Sequence, residues 1–271
     1  MRTKKKWEQF EQDCYKYLKD KYGSLNCWFE SRGGSDSNAP DIVVSKNGKE
    51  IFSIEVKMPL AQSGQFVLKP DQKSGQLIYS SRNKTAENNS KDIVQVMNNH
   101  FVNFSKPTSG LIPIKLDEDL LYKWIQSHYQ DKKSQFFITR GKSGYIVFPV
   151  NKLKEYFEVS AGYRIKKSGS TNPNKSDIVN LRNKLSTGFI FSKVGKYTVV
   201  TAKTKIEKYR IQCGSYFFLF REIEPEIGPN KYRVTRLSNT KNPNVIFRIK
   251  LKAGKTQDPC DLKKFIDALS K

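Results

Sequence analysis

The chain has 271 residues, with 49 Lys+Arg against 26 Asp+Glu and a formal net charge of +23. Hydrophobic residues make up 37% and include 17 Phe and 13 Tyr, enough to bury a core, so a disordered basic tail is excluded. A globule this basic repels itself unless it meets a polyanion, which points to nucleic acid or an anionic surface as partner. The apolar runs at 145–150 and 216–220 are far short of the roughly 20 residues that cross a bilayer. Four widely spaced cysteines without a CxxC pair indicate neither a zinc finger nor a disulfide framework, and two histidines argue against a His-based triad or a multi-His metal site. Gly141-Lys142-Ser143 looks like the end of a P-loop, but Phe136 stands where its opening glycine is required. The basic N-terminus runs directly into an amphipathic pattern without the apolar core of a signal peptide, so a cytoplasmic location is expected. Any chemistry then rests on carboxylates, lysines and a metal ion.

In chain order, residues 5–22 place Trp7, Phe10, Cys14, Tyr17 and Leu18 at helical spacing, with Gly23 as the terminating residue. The stretch 31–38 is polar and flexible. Two β-type runs follow at 42–45 and 51–57, divided by the hairpin signal Asn47-Gly48. Residues 71–90 read as a polar surface loop. Helices are expected at 92–104 and 117–129, strands at 136–139 and 145–150, a short helix at 152–157 and a strand ending near 163–170. The region 171–236 carries strand candidates at 189–192, 197–202, 216–221 and 232–236. A strand at 245–252 and a helix at 262–269 close the chain.

The chemistry-bearing passage is Pro40-Asp41-Ile-Val-Val, followed by Phe52-Ser-Ile-Glu55-Val-Lys57. Alternate residues of a strand share a face about 6.6 Å apart, so Glu55 and Lys57 project together while Phe52, Ile54 and Val56 enter a core. Asp41 joins that face if the hairpin register carries a bulge. The expected form is a three-residue loop, Lys46-Asn47-Gly48, pairing Asp41 with Ser53. Two hard carboxylates suit Mg²⁺, and a lysine beside them can orient or help deprotonate a water and offset phosphate charge. The bland alternative is a surface hairpin with a Glu–Lys ion pair. Glu11, at the border of the first helix's apolar face, can support the same site or be an ordinary solvated glutamate.

Pro-Asp followed after thirteen residues by Glu-x-Lys resembles the PD-(D/E)xK nuclease superfamily. Longer strings resemble one branch of it: Trp7-Glu-Gln-Phe-Glu11, Glu55-Val-Lys-Met-Pro59, Gln62-Ser-Gly-Gln65-Phe-Val-Leu68, Phe136-Phe-Ile-Thr139, Tyr163-Arg-Ile-Lys-Lys-Ser-Gly-Ser170, Leu237-Ser-Asn-Thr240 and Asn244-Val-Ile-Phe247. They are similar to blocks of the HhaI-like type II restriction endonucleases and run in order across most of the chain, 171–236 matching poorly. The resemblance implies an α/β (α+β) restriction-endonuclease-like fold, a mixed sheet flanked by helices with additional β-rich DNA-binding parts. It further implies Mg²⁺-dependent cleavage of double-stranded DNA at 5′-GCGC-3′, Asp41, Glu55 and Lys57 as the catalytic set with Glu11 in support, Asp41 and Glu55 as metal ligands, and a companion DNA methyltransferase. Two other readings keep the fold: a non-catalytic DNA-binding protein, or a nuclease for branched or damaged DNA. The expected parts are a catalytic core at 1–107, a recognition part at 108–170, a basic β-rich unit at 171–236 and a returning strand and helix at 237–271.

Residues 163–208 hold eleven basic residues against two acidic ones, a density suited to phosphate contacts. A GC-rich target is read by Arg or Lys at guanine N7 and O6, which nominates Arg164, Lys166 and Lys167, beside Ser168 and Gly169. Gln62 and Gln65 are candidates for contact in the cleavage site or, equally, a polar brace of their loop.

Overall fold

The computed structural model describes residues 6–32, 39–71, 73–83, 87–105, 110–167, 170–185, 188–206, 209–223, 230–238 and 241–271. Most of the stretch 31–38 and all of Ser168 lie outside them, as do the side chains of Lys166 and Lys167. The chain forms two compact units, one of Met1–Arg164 with Pro243–Lys271 and one of Ile165–Asn242.

The larger unit opens with α1 (Lys6–Tyr22), then β1 (Trp28–Ser31), β2 (Ile42–Lys46), β3 (Lys49–Val56), β4 (Leu60–Asp71) and β5 (Gln76–Tyr79). It continues with α2 (Lys91–Asn98), α3 (Phe101–Ser105), β6 (Ile112–Ile114), α4 (Glu118–Asp131), β7 (Ser134–Gly141), β8 (Gly144–Pro149), α5 (Leu153–Tyr156) and β9 (Phe157–Lys167). The expected loop at 71–90 contains β5, whose Leu77 is buried, and the expected helix at 92–104 is broken into α2 and α3. A four-residue edge strand with one inward leucine leaves too little periodicity to be seen in the sequence.

One sheet runs β1-β2-β3-β7-β8, antiparallel except for the parallel pair β3–β7. Phe52, Ile54, Val56, Phe136, Ile138 and Val147 form its apolar face, with Cys14, Leu18 and Tyr22 of α1 packed in the same core. The opposite face carries Phe137, whose ring meets that of Tyr129 on α4 at 5.0 Å, edge to face. Helices therefore flank both faces of a mixed sheet. The start of α4 is fixed by Asp117, whose carboxylate accepts from the N–H groups of Asp119 and Leu120 at 2.9 and 3.3 Å.

Beyond β9 lie β10 (Ser170–Thr171), α6 (Lys175–Lys184), β11 (Phe189–Val194), β12 (Tyr197–Ala202), β13 (Arg210–Cys213), β14 (Tyr216–Glu222) and β15 (Lys231–Leu237). The smaller unit is an antiparallel sheet, β11-β12-β15-β14-β13, with β10 added on β15. Leu181 and Leu185, from α6 and its C-terminal end, pack with Val200, Phe218, Phe220, Tyr232 and Val234. An Asn174–Asp177 capping box sets the start of α6. The chain ends with β16 (Lys241–Leu251) and α7 (Pro259–Ser270), whose Phe265 and Leu269 enter the core of the larger unit. A second sheet of that unit runs β5-β4-β16-β9-β6.

In that second sheet Gln62 pairs with Arg248 and Gln65 with Ile246, so Ser63 and Gly64 together oppose Phe247 in a bulge. Regular strand geometry would turn residues three apart to opposite faces. The bulge instead leaves Gln62 and Gln65 both exposed and hydrogen-bonded to each other at 3.3 Å. They stand on a strand, not in the loop expected for them. Gly64 has φ +105°, and a Cβ there would lie 2.7 Å from the Trp124 ring, itself stacked on Phe247 at 3.8 Å. Gly64→Ala is therefore expected to lower stability by about 2–4 kcal/mol, combining backbone strain with overpacking. An unchanged denaturation midpoint would contradict this account of the bulge.

Candidate active site

The β2–β3 hairpin has a two-residue turn, Asn47-Gly48, with φ of 50° and 74°, and Lys46 pairs with Lys49. That corrects the expected three-residue loop. Both turn residues adopt the left-handed conformation that a tight hairpin requires, and Asn-Gly is the dipeptide that tolerates it best. A bulge does occur, one step further on. Ser45 faces Glu50 but Val44 faces Phe52, so Ile51 is the extra residue. Continued by one residue, this register sets Asp41 opposite Glu55 instead of Ser53, on the same face as Glu55.

Asp41 is held there by the backbone. Its Oδ2 accepts from the N–H of Val56 at 2.8 Å, while its own carbonyl accepts from the Arg32 N–H at 3.0 Å. Glu55 is only 2% exposed, and its Oε1 accepts from Lys57 Nζ at 2.7 Å. The Lys57 backbone is anchored by its N–H on the Ile138 carbonyl at 2.9 Å, extending the parallel β3–β7 ladder beyond β3. Tyr129 closes the cluster: Lys57 Nζ lies 5.1 Å from its ring centre, and its hydroxyl meets Ser63 Oγ at 3.0 Å.

Charge in this pocket is costly for Asp41 and Glu11. Burial, then the neighbouring Glu55, raises the Asp41 carboxyl to about 6 despite Lys57 and the Val56 N–H. Burial, then Asp41, raises Glu11 on α1 to about 7, with Glu55 adding to the effect. Burial alone would pull the Lys57 ammonium down, but Glu55, Tyr129 and Asp41 hold it well above the ordinary lysine value. Lys57 is thus a fixed cation in this arrangement. It can donate hydrogen bonds and offset negative charge. The nearby His128 stacks on Trp124 at 5.1 Å and is pushed down to about 4 by burial and Lys132, so it stays neutral.

Lys132 was not legible in the sequence. It caps the C-terminal end of α4, with Nζ 3.7 Å from Glu55 Oε1 and 5.2 Å from the Tyr129 ring centre. Its place depends on Lys133, which adopts φ +60° and accepts from Ser53 Oγ at 3.0 Å through its carbonyl. A lysine in a conformation usually left to glycine or asparagine was the available signal, but it appears only once the backbone is known.

Among the described residues no three His, Cys, Asp or Glu side chains are grouped to hold a metal ion by themselves. Asp41 and Glu55 nevertheless suit a hard divalent cation that keeps several waters. Glu55 Oε2 is buried without a hydrogen-bond partner, an acceptor that a cation would satisfy. Of the DNA-reading candidates, Arg164 lies on β9 with its Nε buried and unpartnered, and Gln62 and Gln65 lie on β4.

No protein-family model matches the chain, and no curated protein gives a significant match. Among solved structures, HhaI endonuclease in complex with DNA superposes with a TM-score of 0.76 at 34% sequence identity, over 98% of this chain and 100% of that one. The mixed sheet with its flanking helices is that of a restriction-endonuclease-like nuclease. The chain belongs to the HhaI endonuclease family.

Proposed function

We propose that the protein is a type II restriction endonuclease that uses Mg²⁺ to cut double-stranded DNA at 5′-GCGC-3′, leaving 5′-phosphate and 3′-hydroxyl ends. The observation that carries this reading is the end-to-end likeness to an endonuclease solved with DNA, on a chain that places Asp41, Glu55 and Lys57 together. The net charge of +23 supports a polyanionic substrate. Asp41, steadied by the Val56 N–H, and Glu55, with Oε2 open, are the residues that would hold the cation. Bound there, Mg²⁺ supplies Lewis acidity toward water and phosphate oxygens. Lys57 keeps its proton and faces the charge that develops on the attacked phosphate. Glu11, half-buried and near neutrality, is suited to orient or accept a proton from a water beside Asp41. Arg164, Lys166 and Lys167 are the proposed base readers, with Gln62 and Gln65 in the cleavage site and Ser168 as a phosphate or base contact. A companion methyltransferase that shields host DNA completes the system.

Digestion of a fully sequenced plasmid tests this. With Mg²⁺ every fragment end is expected at GCGC, and a chelator is expected to stop cutting. Fragment ends unrelated to GCGC would remove the specificity, and undiminished cutting in chelator would remove the cation. Host DNA is expected to resist the enzyme until it is amplified without methylation.

A further inference from the structure

A cavity of about 600 Å³ opens on the sheet face that carries the carboxylates, floored by Val43 and Ser53 and walled by Lys132, Lys133, Ser134, Arg32 and Glu50. Its volume falls in the range of ligand sites. Ser53 and Glu55 are alternate residues of β3, so the cavity floor and the carboxylate lie side by side, about 6.6 Å apart along the strand. Lys132 belongs to both places: it lines the cavity and its Nζ stands 3.7 Å from Glu55 Oε1.

Arg32 and Glu50 pair with each other on this wall at 2.5 Å, so its remaining charge is that of Lys132 and Lys133. Lys132 is 14% exposed at the side chain, and one carboxylate oxygen leaves most of its three N–H donors free. Lys133 is exposed, and among the described residues no carboxylate pairs with it. The helix end would by itself disfavour an anion, since α4 points its C-terminal carbonyls this way. Those carbonyls are partly engaged: Gln130 O accepts from the Lys132 and Lys133 N–H groups, and Lys133 O accepts from Ser53. The left-handed Lys133 lets two consecutive lysines both border the cavity.

We propose that this cavity binds a phosphate of the cleaved strand next to the phosphate that is attacked, with Lys132 bridging the two positions and Lys133 closing the outer side. The proposal rests on the nuclease reading above and adds a subsite to it. Lys132 then serves binding of the strand, and Lys57 the reacting phosphate.

The test is a coupling measurement by binding, not cleavage. Asp41→Asn protein, alone and with Lys132→Gln plus Lys133→Gln, is titrated with GCGC duplexes in which each phosphate of one strand in turn is an uncharged methylphosphonate. One position beside the scissile phosphate is expected to weaken binding by about tenfold in the Asp41→Asn protein and to have no effect once the lysines are gone. Lys123→Gln, on the exposed side of the same helix, is expected to leave the methylphosphonate effect intact. Losses that simply add at every position would overturn the subsite. Residual cutting by Asp41→Asn would instead count against the catalytic assignment, and the binding comparison would still read out the subsite.

Discussion

Asp41→Asn is expected to abolish DNA cleavage while making the metal-free protein harder to unfold at pH 8. The Asp41 carboxyl has its pKa raised to about 6 by burial and by Glu55, from an ordinary value of 3.8. A raised native pKa means that the folded protein favours the protonated form. That contribution is complete below the unfolded value and is lost as pH rises through 6. At pH 8 the ionised carboxylate therefore costs on the order of 2 kcal/mol, which asparagine removes while its amide oxygen can still accept from the Val56 N–H. Denaturation in chelator at pH 5 and pH 8 measures this: wild type should gain stability on acidification, and the variant should gain less. Glu11, raised to about 7, preserves part of the pH dependence in both. Added Mg²⁺ should stabilise wild type and leave the variant nearly unchanged. A variant no more stable than wild type at pH 8 would sink the electrostatic account.

Glu55→Ala should do the reverse, losing activity together with about 3–5 kcal/mol of stability. Glu55 is the counter-ion of two lysines, at 2.7 Å from Lys57 and 3.7 Å from Lys132. Without it the Lys57 ammonium keeps its burial and loses its main partner. The folded pKa of Lys57 should then fall toward or below its ordinary value, so the deficit should shrink as pH rises and the lysine sheds its proton. Lys57→Met in the Glu55→Ala background should recover part of the loss, since it removes the stranded charge. Equal stability of single and double variants at pH 7 would show that the pair is not coupled in this way. The two carboxylates thus have opposite structural roles: Asp41 is held at a cost, and Glu55 neutralises the cations around it.

Much of this site can be read from local sequence. Alternation in Phe52–Lys57 assigns the faces of β3 and puts Glu55 and Lys57 side by side, where the structure closes them to 2.7 Å. The face of Asp41 needs one odd residue in the hairpin, and the structure supplies it as the Ile51 bulge and not as the expected three-residue loop. Asn47-Gly48 marks the turn, but Ile51 carries no mark that identifies it as the bulged residue. Lys132 and Tyr129 were hidden for another reason. They reach Glu55 through the parallel β3–β7 pairing and the helix that precedes β7, a contact between residues more than seventy positions apart. Helix α6 leaves little trace in the sequence because its inward residues are few, Leu181 among neighbours such as Asn180, Arg182 and Asn183. Strands β11, β12, β14 and β15 of the smaller unit, by contrast, are apolar enough to be placed within two residues, whereas β10 and β13 are too short to be read.

The bulge at Ile51 limits which changes in hairpin length the site would tolerate. Strand faces repeat every second residue, so pairs of residues can be gained or lost at the Asn47-Gly48 tip while Asp41 still meets Glu55. Loss of a single residue such as Ile51 would turn Asp41 toward the oily interior and bring a hydrophobic neighbour into its place.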